Sequence, residues 1–249
     1  MPAAPSLVLH VLPPSHPCLT ARAALRFKRL DYERVDLPLG QHVDEMAAIY
    51  GAGHTTVPGL LVNGEPVHGS RAILARLEEL QPEPSLFPAA IADQVREAER
   101  WGDEVFQDLG RRLPWGALHF RPEALGVLAG ASEPLDPAGT DSAIRMIRGT
   151  WKYHRLDAVV LAADLQALPG FLEHIDALVG AGVLGGAQPN AADLQIGATL
   201  RVLLSVEDLH PLLLDRPAIT LAERFFPRGA IGGIPAGAYP SGWVPARHG

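Results

Sequence analysis

The sequence holds a single cysteine, Cys18, in 249 residues. One thiol makes no intrachain disulfide and no multi-cysteine metal cluster, and it fits a reducing, cytoplasmic location. Surplus positive charge is missing too: 28 acidic against 21 basic side chains leave a net charge of −7. That argues against a general role on nucleic-acid phosphates, which demand surplus Lys and Arg. No unbroken apolar run reaches the ~20 residues that cross a bilayer, so no membrane partner is expected. The opening MPAAPSLVLHVLPP has no basic segment ahead of a long apolar stretch, which argues against a secretory signal. Ten histidines are present, but none stand as HxH, HxxxH or HExxH, so no metal site is expected. No internal repeat is apparent.

What the chain does have is 47 % hydrophobic and 20 % charged residues, the balance of a globular protein. Leu7 to Leu12 form an apolar run stopped by Pro13 and Pro14, which predicts a buried strand. SHPC and LTARAALRFKRL follow, with Leu19, Ala23, Leu25 and Phe27 at roughly helical spacing and Pro17 suited to a first turn. Tyr32 to Leu37 alternate and read as a second strand, parallel to the first through a right-handed crossover. Asp44 to Tyr50 predict a short helix closed by Gly51 and Gly53. Gly59–Val62 and Glu65–His68 flank Asn63-Gly64, a strong hairpin signal. Ser70 then stands as an N-cap before a helix with Ile73, Leu74, Leu77 and Leu80 on one stripe. This order predicts an α/β thioredoxin-like N-terminal domain, residues 1–80.

Three prolines in residues 81–88 mark a linker. Beyond it, residues 89–226 predict an all-α helical-bundle domain, with helices over 89–107, 143–165, 170–179, 191–206 and 217–225. The stretch 191–206 is apolar nearly all round and belongs at the bundle's centre. Residues 227–249 are rich in Gly and Pro and predict a tail on the surface.

Three pieces of this chain resemble the cytosolic glutathione S-transferase superfamily, and the loop after the first strand resembles its serine-type delta and theta branches. Thr56-Val57-Pro58 before the hairpin matches the family's cis-proline turn, which implies that Val57 pairs with the cysteinyl backbone of glutathione. Gly69-Ser70-Arg71 opens the third helix. The likeness implies that Ser70 binds the γ-glutamyl carboxylate at the helix N-terminus and that Arg71 contacts the tripeptide. The family's usual Glu or Gln before this Ser is replaced here by Gly69, so another carboxylate must reach the ligand's ammonium group. Asn190-Ala191-Ala192-Asp193 matches the family's structural N-capping box. His54, one place off the pattern, is a candidate for the glycyl carboxylate.

The chemistry implied is thiol activation. Lowering a thiol pKa from about 8.5 by about two units takes about 2.7 kcal/mol of extra interaction with the anion. A hydroxyl beside the first helix N-terminus suits the task, and Ser15 is that residue by likeness to Ser-x-Pro-Cys loops. Aligning on Pro17 instead makes His16 the second choice. Cys18 lacks the CxxC partner of a disulfide exchanger and reads as a buried structural residue. Trp115, His119, Trp151 and Tyr153 are candidates for an apolar pocket between the domains. The expected activity is therefore a glutathione transferase, with glutathione as co-substrate, an apolar electrophile and a role in detoxification. The alternative is a non-catalytic glutathione- or ligand-binding protein on the same fold. The likeness also implies a homodimer.

Overall fold

The computed structural model describes residues 4–13, 15–226 and 232–246. The first layer is a four-stranded sheet in the order β2-β1-β3-β4, from β1 (Leu7–Val11), β2 (Glu33–Asp36), β3 (Gly59–Val62) and β4 (Glu65–His68). β1 runs parallel to β2 and antiparallel to β3, and β3 pairs antiparallel with β4. The helices of this half are α1 (His16–Phe27), α2 (His42–Tyr50) and α3 (Ser70–Leu80). Leu9, Leu60 and Val62 of the sheet join Leu25 of α1 and Ile73, Leu74 and Leu77 of α3 in the main core. A second, small core of Leu12, Leu37, Met46 and Tyr50 lies under α2. Gly59 leaves room for the Tyr50 ring, since a Cβ there would stand 2.2 Å from its Cζ. This is the thioredoxin-like domain that the strand and helix periodicity predicts.

A buried lysine ties this half to the linker. Lys28 at the end of α1 has a fully buried side chain, ion-paired with Glu78 of α3. Its ammonium also donates to the carbonyl of Gln81 at 2.6 Å. Glu78 in turn accepts from the Ser85 hydroxyl and the Leu86 amide. These four interactions offset the desolvation of both charges. The Leu86 carbonyl then accepts from the Ala191 amide at 2.8 Å, which joins the linker to the second half.

The second half is all helical: α4 (Ala92–Trp101), a π-helical turn (Gly102–Phe106), α5 (Gln107–Phe120), α6 (Leu125–Leu128), α7 (Pro137–Tyr153), α8 (Ala158–Gly180), α9 (Ala191–Leu203), α10 (His210–Leu213) and α11 (Ile219–Phe225). Every residue of α9 except Arg201 is buried, and the helix packs on α1, α4, α5 and α11. Three features differ from the pattern read in the sequence. α5 was not expected, and Gly110, Pro114 and Gly116 all lie inside it. The two glycines allow close approach, for a Cβ on Gly116 would stand 2.4 Å from Leu161 and one on Gly110 2.9 Å from Thr199. The helix expected over 143–165 is broken after Tyr153, where Arg155 takes a left-handed φ of 52° and Asp157 caps α8 by accepting from the Val160 amide. α8 then continues through Pro169, so the helix expected over 170–179 is its second half.

By length and composition α8 is apolar enough to cross a bilayer, a feature that its scattered charges hide in the sequence. Here Leu161, Leu165, Leu168, Leu172 and Ile175 face the core, and Asp164 and Asp176 are paired with Arg112 and Arg216. The stretch expected as a surface tail lies outside the described residues at 227–231 and 247–249. Its described part packs inward: Ile234 is fully buried, and the Tyr239 hydroxyl donates to the Leu113 carbonyl at 2.8 Å.

Candidate functional site

The turn before β3 brings the first predicted element into place. The Val57–Pro58 peptide is cis. The Pro58 carbonyl accepts from the Gly69 amide at 2.9 Å, which pins this turn to the start of α3. Among the described residues no hydrogen bond is made by the Val57 backbone, so its edge is open to an extended ligand.

Gly69 has φ +90°, a region that favours glycine, and it precedes the first turn of α3. The missing acid is thus a backbone matter: the chain turns here in a way few other residues follow. Ser70 is the first residue of α3 and is buried. The N-terminal amides of this 11-residue helix face a cavity of about 440 Å³ lined by His68, Gly69, Ser70, Arg71, Ala72, Ala75 and Asp103.

Asp103 comes from the π-helical turn of the second half. Its Oδ1 accepts from Gln107 at 2.8 Å and from Gln195 of α9 at 3.2 Å. Beside it, Arg71 donates through Nε to Glu99 at 3.1 Å and through a terminal nitrogen to Glu104 at 2.8 Å. Glu99 is buried, and burial first of all drives its pKa up to about 7, against the pull of Arg71. One side of the cavity therefore carries helix-terminal N–H groups and a guanidinium, and the other a carboxylate. Sequence reasoning missed Asp103 and Glu99, because acidic residues in a helical stretch read as a solvated face and only the fold turns them toward α3. His68 was read only as the end of a strand. Its Nε2 lies 2.8 Å from the Thr56 carbonyl oxygen.

His54 does not line this cavity. It is exposed and its ring lies tilted against that of His68, with ring centroids 4.4 Å apart. Ser15 lies elsewhere again. It takes the N-cap position of α1, but its side chain makes no capping bond. Its hydroxyl meets the Cys18 thiol, and both line a smaller cavity of about 180 Å³ that shares no lining residue with the first. Burial pushes the Cys18 thiol up to about 11 despite that bond, so it is a neutral, unreactive group at pH 7. His16 points toward the helical half. A Cβ on Gly110 of α5 would stand 3.0 Å from its Nε2, and that nitrogen has no partner among the described residues. Burial and then the Arg111 charge drive its pKa down to about 3, so it is neutral. Trp151 donates to the Trp115 carbonyl at 2.8 Å and stacks on His119. Tyr153 is exposed. Trp115, His119 and Trp151 hold α5 to α7.

The open turn, the helix N-terminus and the topology now stand together. Residues 9–85 match the family model of the glutathione S-transferase N-terminal domain. The fold of the chain as a whole, helical half included, is that of solved glutathione S-transferases. A transferase from Rhodospirillum rubrum F11 is 25 % identical with a TM-score of 0.50, over 79 % of this chain and 78 % of that one. Glutathione transferase F7 from Populus trichocarpa is 19 % identical with a TM-score of 0.60, over 90 % and 95 %. A rice transferase solved in complex with glutathione is 21 % identical with a TM-score of 0.51, over 78 % and 75 %. A search of curated protein sequences finds no match.

Proposed function

We propose that this chain binds glutathione, or a closely related small thiol, along the Val57 edge and in the cavity at the start of α3. The observation that carries this reading is the pairing of opposite charges in that cavity. The α3 N-terminus with Ser70 suits a carboxylate, and Asp103 suits an ammonium group. A γ-glutamyl end carries both. Asp103 thus supplies the acid that Gly69 does not. Arg71, held by Glu99 and Glu104, stands beside the carboxylate position. Val57 would pair with the ligand's backbone next to Pro58, and His54 would contact its far carboxylate.

The reaction proposed is attack of the thiolate on an apolar electrophile, in a cytoplasmic homodimer that works without a metal. Ser15 is the residue proposed to steady the anionic sulfur, since its hydroxyl is free of capping duty. Wild type should conjugate a chromogenic aryl halide, and Ser15→Ala should lose at least ~10-fold in rate, the factor that 1.4 kcal/mol of lost anion stabilisation gives. Retention on immobilised glutathione should be the same in both. Equal rates remove Ser15 from the mechanism. Failure of the folded wild type to bind immobilised glutathione removes glutathione as the ligand.

One observation favours the second reading, a binding protein without catalysis. The Ser15 hydroxyl is turned to Cys18 and lies in a different cavity from Ser70. That reading expects retention on glutathione with no conjugation by wild type.

A further inference from the structure

The smaller cavity has a chemistry of its own. Val11, Leu12, Pro13 and Leu19 give it an apolar wall, and Ser15, Cys18, Arg22 of α1 and Arg34 of β2 give it a polar one. Its volume of about 180 Å³ exceeds the ~30 Å³ share of one water several-fold. Arg34 is neutralised locally, for its Nε donates to Asp36 at 3.0 Å and a terminal nitrogen donates to the same oxygen. Arg22 is not. Its Nε is buried and has no acceptor among the described residues. A buried guanidinium N–H without a partner costs free energy that an anion would recover. The neighbouring thiol does not serve, because burial keeps Cys18 protonated. No acidic residue stands in the first turn of α1, whose N-terminal dipole adds to the positive side.

We propose that this cavity binds a small organic monoanion of the aliphatic carboxylate class. Its charged head lies between Arg22 and the Ser15 hydroxyl, and its short apolar part lies against Leu12, Pro13 and Leu19. A planar carboxylate matches the fork of a guanidinium, and the apolar wall selects against a bare inorganic ion. The site shares Ser15 with the proposed thiol chemistry but no residue with the α3 cavity, and Arg22 has no part in the thiol reading, so the test rests on Arg22.

The test is calorimetric titration of the full chain with butyrate, and with butyramide as its neutral counterpart, at constant ionic strength. Wild type should bind butyrate and not butyramide, and Arg22→Gln should bind butyrate at least ten-fold more weakly. Arg145→Gln, at an exposed arginine on α7, should behave as wild type. In wild type the Arg22 Nε–H resonance should shift on adding butyrate, a readout that needs no variant to fold. Absence of butyrate binding, equal binding of butyramide, equal affinity of Arg22→Gln or an unmoved Arg22 resonance would each overturn the proposal. Retention of Arg22→Gln on immobilised glutathione should equal that of wild type, so a failure here leaves the thiol site standing.

Discussion

Asp193→Ala should lower the unfolding free energy by about 2–4 kcal/mol, about 1–2 for each of two backbone amides left without their acceptor. The side chain is fully buried and serves two backbone donors at once. Its Oδ2 accepts from the Asn190 amide at 2.9 Å and its Oδ1 from the Gly185 amide at 2.8 Å. Asn190 returns the favour, accepting from the Asp193 amide at 3.0 Å and donating to the Val183 carbonyl at 2.8 Å. Alanine cannot accept from either amide, and the Asn190 amide is buried. The loss is not local, because α9 is the helix on which both halves rest. Thr20 of α1 donates to the Leu194 carbonyl at 3.2 Å, and Gln195 holds Asp103 at the edge of the α3 cavity. Urea denaturation of wild type and variant gives the difference directly. A loss under 1 kcal/mol would mean that the box is not what holds this helix.

That box was legible in the sequence, and the reason is physical. Capping, turn and strand signals act over a few residues, so Asn63-Gly64, the Leu7–Leu12 run and Asn190-x-x-Asp193 carry their structure in their own letters. Ser70 was legible in place but not in role: Gly69, at φ +90°, takes the cap position, and Ser70 begins the helix. The division of the helical half was harder to read. Glycines and a proline in α5 look like breakers until Leu161 and Thr199 are seen to need the space they leave. The candidate site is split in the same way. Ser70, Arg71 and the Val57–Pro58 turn follow from local pattern, whereas Asp103 reaches the cavity from a second domain more than 30 residues on. Ser15 and His16 are adjacent in sequence yet face different surroundings, one toward Cys18 and the other toward α5. A one-residue step around a helix N-terminus decides that, and no spacing rule foretells it.

Glu99 makes a prediction of a different kind, in which stability moves with pH. Its carboxyl titrates near 7 in the folded chain, raised from 4.5 by burial first, opposed by Arg71 and assisted by Asp103 and Glu104. Between pH 4.5 and 7 the folded chain therefore holds a proton that the unfolded chain has released. Stability contributed by this group falls as pH rises through that window and is level above it. The 2.5-unit shift corresponds to about 3 kcal/mol. Glu99→Gln keeps the shape and removes the titration. The variant should match wild type at pH 4.5, where both side chains are neutral, and should be more stable by about 3 kcal/mol at pH 8. The ion pair with Arg71 does not reverse this sign, because its pull is already contained in the shifted pKa, and Arg71 keeps Glu104 as a partner. Urea denaturation of both chains at pH 4.5, 6 and 8 tests it, and parallel profiles would show that the folded chain does not hold a proton on Glu99 in this window. The ionised carboxylate is thus retained at a cost beside the α3 cavity, where among the described residues its ion-pair partner is the arginine that flanks Ser70.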